Sequence, residues 1–397
     1  MFIAITKNKQ YVNALDEPLL TESLYCPACE HPVHLKKGAI IRPHFAHNKS
    51  SLCLIQGEPE TKEHMEGKIK LYKWVKNHGY EVSLEKYLPT IQRQPDIFLL
   101  TSQGKVAIEF QCSTLPAQDL TERTLDYLKQ DIYPVWIFSH HHYPRRPSTS
   151  FVSIGSFAWS ALRQTDVQAL PHLYYFNPSS ELFFNLHVSY PLSKNKAFSK
   201  SITIPMNKLT VSGLLQPSPL FPTFPFIDWL RHRKNIRFGR NNLRDQPFEL
   251  QQLFASYKRS FPYFPPEVGW PLQSAFPILT SSYIWQSLLL FKLIERFTPG
   301  TDFYVEHVVE MIKQFVQMET IKVRSLPMVS FCFNQLCHEY LHVLKTFGLV
   351  TISGRKISWK KALRLPESLE EGFQRDQQLA VMYKKQVNFI PKSKEFM

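Results

Sequence analysis

Cysteine is scarce, with six in 397 residues, too few for the disulfide framework of a secreted protein. No secretory leader is expected either, because the short apolar run over residues 1–6 passes directly into polar residues. Long apolar runs are lacking too. Residues 284–294 come nearest, but Gln286 and Lys292 interrupt them, and they fall short of the roughly 20 residues a bilayer span requires. Acidic charge is outweighed: 33 Asp and Glu stand against 47 Lys and Arg, a formal net charge of +14 with a pI near 9.4. These absences exclude a disulfide scaffold and a membrane span and lead to the expectation of a cytoplasmic chain. Basic charge combined with 14% aromatic residues suits a polyanionic partner, single-stranded nucleic acid especially. The length is enough for two or three domains.

Three of the six cysteines crowd near the N-terminus. Cys26-Pro27-Ala28-Cys29 is a tight knuckle, followed by alternating Val33 and Leu35, then His44, His47 and Cys53. A structural zinc takes four ligands in a tetrahedron, and this short segment offers five. Cys26, Cys29, His47 and Cys53 are the favoured set, with His44 as substitute for one of the last two. Cys112, Cys332 and Cys337 lie in apolar surroundings and read as buried small hydrophobes.

A second concentration of chemistry lies at Pro95-Asp96 and Glu109-Phe110-Gln111. Residues 96–100 and 105–112 read as the strands of a hairpin with its turn in 101–104. A two-residue turn at Ser102-Gln103 puts Asp96 opposite Glu109; a turn at Gln103-Gly104 puts it opposite Gln111. Cross-strand neighbours have Cβ atoms roughly 4.5–5.5 Å apart, so two carboxylates would share one face, and a divalent cation relieves their repulsion. The spacing resembles the PD-(D/E)xK nuclease signature, with Gln111 where the lysine usually stands. Periodicity predicts a helix over 61–77, a first strand at 80–84, a helix over 119–130 and a buried parallel strand over 133–138. That α-β-β-β-α-β order is the core of the restriction-endonuclease-like α/β (α+β) fold. In such a site Asp96 and Glu109, with the Phe110 carbonyl, hold Mg²⁺ or Mn²⁺. Gln111 orients the attacking water without bringing charge. Lys68, on the same helix face as His64, is the first choice for the missing cation, and Glu63 or His64 extends the metal shell. Arg123 and Tyr127, four apart on the second helix, are placed to meet phosphate and stack on a base, or Tyr127 to fill core.

Together these motifs resemble the competence protein CoiA family of Gram-positive bacteria. The residues carrying the resemblance are Tyr25 to Cys29, Arg42 to His47, Glu63, His64, Lys68, Leu71, Tyr72, Ile108 to Ser113, Arg123, Tyr127 and Pro134 to Ile137. It covers about residues 1–140 strongly and the rest by length and order. The resemblance implies a cytoplasmic protein of natural transformation acting on incoming single-stranded DNA near the recombinase step. It also implies a nuclease-like domain and an N-terminal zinc-finger-like segment. On this reading a metal-dependent nuclease stands first. The alternative is a catalytically inactive nuclease fold that binds single-stranded or branched DNA, the recombinase or other uptake proteins.

The expected organisation is a zinc-ribbon-like segment over 1–56, the nuclease-like domain over 57–150, a strand-rich extension over 151–215 and a basic, mostly helical region over 216–397. His140, His141 and His142 cannot share one helix face, so they read as an exposed loop without a dedicated metal site. Arg231, Arg233 and Lys234, in a basic run continued by Arg237, Arg240 and Arg244 and flanked by Phe and Pro, read as a single-strand track. Between 326 and 361 a helix capped by Asn334, a stop at Gly348 and a hairpin around Gly354 suggest a winged helix.

Overall fold

A computed structural model describes residues 1–16, 22–38, 42–48, 53, 61–144, 150–166, 169–220, 224–239 and 246–389, the last four by backbone alone. The N-terminal segment is a small antiparallel sheet. Its strands are β1 (Ile3–Ile5), β2 (Tyr11–Asn13), β3 (Leu24–Tyr25), β4 (Pro32–Lys36) and β5 (His44–His47), in the order 2-1-3-4-5. It curls until the Phe45 N–H reaches the Met1 carbonyl. Ala4, Ala14, Leu24 and Phe45 fill its interior, too little apolar surface for a sheet of this size to stand alone.

The central unit is built on one eight-stranded mixed sheet. In chain order it comprises α1 (Lys62–Asn77), β6 (Glu81–Leu84), β7 (Ile97–Thr101), β8 (Gly104–Gln111), α2 (Ala117–Leu128) and β9 (Ile132–Ser139). Next come β10 (Phe151–Ser153), α3 (Ser156–Ser160), β11 (His172–Asn177), β12 (Leu182–Pro191), β13 (Lys196–Pro205) and α4 (Val211–Leu215). The strand order is 10-13-12-11-9-8-7-6; β8, β9 and β11 run parallel, and their other pairings are antiparallel. The expected α-β-β-β-α-β order is present. Strands expected in 151–215 join the same sheet.

Alternation along β8 divides the two faces. Val106, Ile108 and Phe110 pack with Ile69, Leu71, Trp74 and Val75 of α1. Ala107 packs with Phe98 and with Tyr127 of α2. Thr61 caps α1 by accepting the His64 N–H. Gly67 permits the close seating of this helix: a Cβ there would stand 2.1 Å from the Phe110 ring. Thr101 pairs with Gly104 and Ile97 with Ile108, so the hairpin turns at Ser102-Gln103, the register that brings Asp96 opposite Glu109.

The remaining chain forms α5 (Phe226–Phe238), α6 (Phe248–Ser256), α7 (Ser282–Arg296), β14 (Asp302–Tyr304), α8 (Val305–Gln317), α9 (Phe333–Thr346), β15 (Val350–Ser353), β16 (Lys356–Trp359) and α10 (Leu369–Phe389). A core rich in Trp229, Trp270, Trp285 and Trp359 runs through it and meets Tyr190 and Phe198 of the large sheet. The order α7-β14-α8-α9-β15-β16, with strands 14-16-15 side by side, has the helix and hairpin expected of a winged helix. The cap differs from expectation: it falls two residues earlier, at Cys332, so Asn334 lies inside the first turn of α9. Cys332 is also exposed rather than buried, and Cys112 is only partly covered.

Candidate functional site

In the N-terminal sheet the knuckle closes through two backbone bonds, Glu30 N–H to the Cys26 carbonyl and Cys26 N–H to the His31 carbonyl, with Glu30 at φ +57°. This folds Cys26 and Cys29 towards His47 at the end of β5 and towards Cys53. The donor atoms of all four lie within 4.8 Å of one another. Cys26 Sγ stands 4.0 Å from Cys53 Sγ and Cys29 Sγ 3.2 Å from His47 Nε2. Sulfurs on a tetrahedral ion with Zn–S near 2.3 Å would be about 3.8 Å apart, so the arrangement can hold a metal such as zinc. Burial pushes the Cys26 thiol up to about 12. Burial acts in the same direction on Cys29, but hydrogen bonds from His31 and His47 outweigh it and bring that thiol down to about 6. His44 is not part of the group; its Nδ1 is bonded to the Arg42 carbonyl at 2.9 Å.

The hairpin acids part company. Asp96 sits just before β7 and turns towards α1. Its Oδ2 accepts the Phe110 N–H at 2.8 Å and lies 3.2 Å from His64 Nε2; its Oδ1 lies 3.4 Å from Lys68 Nζ. His64 stacks on the Phe110 ring, with centroids 6.0 Å apart. Glu109 is buried on the α2 side, where its Oε1 accepts from Arg123 Nη2 at 2.7 Å and from the Tyr127 hydroxyl. Burial raises the Glu109 carboxyl above its ordinary value, Arg123 opposes this, and the negative charge of Asp96 adds to the rise. The two acids therefore feel each other while each is held by a cation from its own helix. Among the described residues, neither belongs to a group of three or more metal-ligating side chains.

Lys68 is brought to Asp96 as expected, but it is almost fully buried and its closest partner is Glu85, at 2.6 Å. Glu85, unforeseen in the sequence, also accepts the N–H groups of Phe2 and Ile3, tying the N-terminal strand to this site. Its φ of +48° marks a sharp turn that no local pattern announces. Gln111 donates its amide to the Ser113 carbonyl and hydroxyl at 2.8 and 3.0 Å. Glu63 is not on Asp96; it accepts from the Ser139 hydroxyl at 2.6 Å and faces His140 and His141.

Three expected nucleic-acid contacts need correction. Tyr127 is fully buried with its hydroxyl on Glu109, so it has no face for a base. Arg123 is committed to the same carboxylate. Arg233 is wholly buried, donating to the Val268 and Pro266 carbonyls and pairing with Asp376 at 2.8 Å. The basic run fails as a track because α5 turns Arg233 and Arg237 inward, leaving Arg231 and Lys234 exposed; Arg240 and Arg244 fall outside the described residues.

Comparison with known proteins agrees along most of the chain. Residues 7–56 match the N-terminal domain of competence protein CoiA, residues 60–219 its nuclease-like domain and residues 224–371 its C-terminal domain. A curated relative, "Competence protein CoiA" of Bacillus subtilis (strain 168), is 25% identical over 345 residues, covering 86% of this chain and 91% of that protein. No solved structure matches. No helix among the described residues is long and apolar enough to cross a membrane. The three domain matches in order, with a relative spanning nearly the same length, establish that the chain belongs to the competence protein CoiA family.

Proposed function

We propose that this protein processes incoming single-stranded DNA during competence, as a cytoplasmic, metal-dependent nuclease of restriction-endonuclease-like fold. The observation that carries this reading is the convergence of His64, Lys68 and the Phe110 N–H on Asp96 beside Glu109. Lys68 takes, from α1, the place of the lysine that Gln111 replaces. Asp96 and Glu109, aided by His64, are the residues to hold Mg²⁺ or Mn²⁺, and that ion supplies an activated water and charge neutralisation at a phosphate. Asp96 and His64 are partly exposed, so DNA can approach from their side. Lys68 offsets negative charge accumulating near Asp96. Gln111 positions water by hydrogen bonding. The Cys26, Cys29, His47 and Cys53 group holds a structural zinc. Of the basic run on α5, Arg231 and Lys234 are left to contact the DNA backbone.

A specific observation favours a second reading. Glu109 already has Arg123 and Tyr127 as partners, which suits a retired nuclease fold that binds DNA or the recombinase without cutting. The test is incubation of purified protein with single-stranded and branched DNA in Mn²⁺. Slow cleavage that disappears in Asp96→Asn and in Glu109→Gln supports the nuclease. Metal-dependent thermal stabilisation with no cleavage of any substrate sinks it in favour of the mediator. Gln111→Lys is expected to raise the rate if the missing charge limits it.

A further inference from the structure

The histidine turn after β9 has an architecture of its own. His140–His142 form one turn of 3-10 helix, opened by the Ser139 hydroxyl accepting the His141 N–H. The turn is anchored at its far end by His142 Nε2 on the Cys112 carbonyl at 2.7 Å. Glu63, from the first turn of α1, points at this turn. His140 Nδ1 lies 3.6 Å from Glu63 Oε1 and His141 Nε2 lies 3.4 Å from Glu63 Oε2. The imidazole rings are 4.0 Å apart, tilted by 40°. All three donor atoms fall within 4.8 Å of one another.

We infer that Glu63, His140 and His141 form a further metal site for a divalent transition cation of the zinc or cobalt(II) kind. Ligands about 2.1 Å from an ion stand about 3.4 Å from each other in a tetrahedron, and each imidazole nitrogen lies near that distance from one oxygen of the Glu63 carboxylate, as a chelating carboxylate would have it. His140 Nδ1 is buried with Glu63 Oε1 at 3.6 Å, beyond ordinary hydrogen-bond reach, and a cation between the two would satisfy both. The Ser139 hydroxyl donates to Glu63 Oε1, the kind of supporting bond that fixes a ligating carboxylate. Two imidazoles and one carboxylate suit zinc, cobalt or manganese better than magnesium, which prefers oxygen alone. His141 is largely exposed, so the ion would keep positions open to water or a phosphate oxygen. Three adjacent histidines fail as ligands on one helix face; here the tight turn and a residue 77 positions upstream solve the geometry. The site uses neither Asp96 nor Glu109 and does not rest on the nuclease reading.

The full chain, with its cysteine cluster first saturated with zinc, is dialysed against Co²⁺ and its bound metal counted. The expected result is an additional cobalt, about one per chain, with weak visible absorption and no thiolate charge-transfer band. Glu63→Gln, and separately His140→Asn with His141→Asn, lose this cobalt, while Asp96→Asn retains it. X-ray absorption on the cobalt-loaded wild type, which needs no variant to fold, should show two imidazoles. Absence of the extra cobalt, its persistence in both variants, its loss in Asp96→Asn, or fewer than two imidazoles on it overturns the site.

Discussion

The N-terminal cysteine cluster and the β7–β8 hairpin both gather metal-seeking side chains, yet they balance charge in opposite ways. Around Cys26, Cys29, His47 and Cys53 the ligands meet one another. Around Asp96 and Glu109 the chain supplies its own partners, His64 and Lys68 for one acid and Arg123 for the other. The first arrangement can draw its cohesion from an imported ion. The second holds together unaided, and any metal there must displace or share partners already in place. Asp376, buried with Arg233 and Arg237, is the limiting form of that second strategy, with no solvent left at all.

The largest effect should come from removing the imported ion. Cys26→Ser with Cys29→Ser, or a strong chelator, should lose about one zinc per chain; structural zinc contributes roughly 10–16 kcal/mol of apparent binding free energy. Residues 1–55 should then become protease-sensitive while the large sheet stays folded, read by metal analysis and limited proteolysis. Freshly reduced protein prepared without chelator yet carrying no zinc would end the comparison. Next in size is Asp376→Ala, which strands two buried guanidinium groups and should cost roughly 3–5 kcal/mol in chemical denaturation. A mild effect there would mean the ion cluster is wet.

Arg123→Ala leaves the buried Glu109 carboxylate with Tyr127 alone. Because Arg123 is a quarter exposed, the expected cost is lower, roughly 2 kcal/mol. The pH dependence gives the sign independently. Glu109 is raised in the folded state above the ordinary carboxyl value of 4.5, so the folded form holds its proton more tightly than the unfolded chain. Its contribution is therefore fully present below 4.5 and is lost as pH climbs through the raised folded value. Glu109→Gln should flatten that slope in stability-against-pH curves; an unchanged slope assigns it to other groups. The smallest effect should be Mn²⁺ stabilisation, since resident cations compete for Asp96. At a hundred times Kd a bound ion contributes about 2.7 kcal/mol, and a shift below this is expected, abolished by Asp96→Asn.

Local pattern carried much of the architecture. The helix over 61–77, the hairpin and the parallel strand after α2 were legible because alternation and periodicity report which face a residue takes, whereas the choice of Ser102-Gln103 over Gln103-Gly104 for the turn needed the strand register. The Cys-x-x-Cys knuckle was legible because four ligands fall within one short segment. What stayed hidden was the pairing of charges over long sequence distances. Glu85 meets Phe2 across 83 residues, and Arg237 meets Asp376 across 139. A basic run looks the same whether its arginines face water or a distant aspartate. Pattern therefore cannot tell Arg233 from a surface arginine, nor choose between Glu63 and His64 beside Asp96, where the structure puts His64 and gives Glu63 to Ser139 and the histidine turn.

Gly67 is the quiet determinant of the whole arrangement. With a ring of Phe110 where its Cβ would be, the helix rides on β8 with no spacer between them. His64 and Lys68 lie within one turn of that contact, and Glu63 stands one turn before it. An added methyl would act as a wedge, lifting the helix like a lever whose free end carries all three side chains. Asp96, Glu85 and the histidine turn would lose their partners in a single movement. The separation of helix and strand is thus a common gauge for sites that share no ligand, and a substitution touching none of them could detune them all.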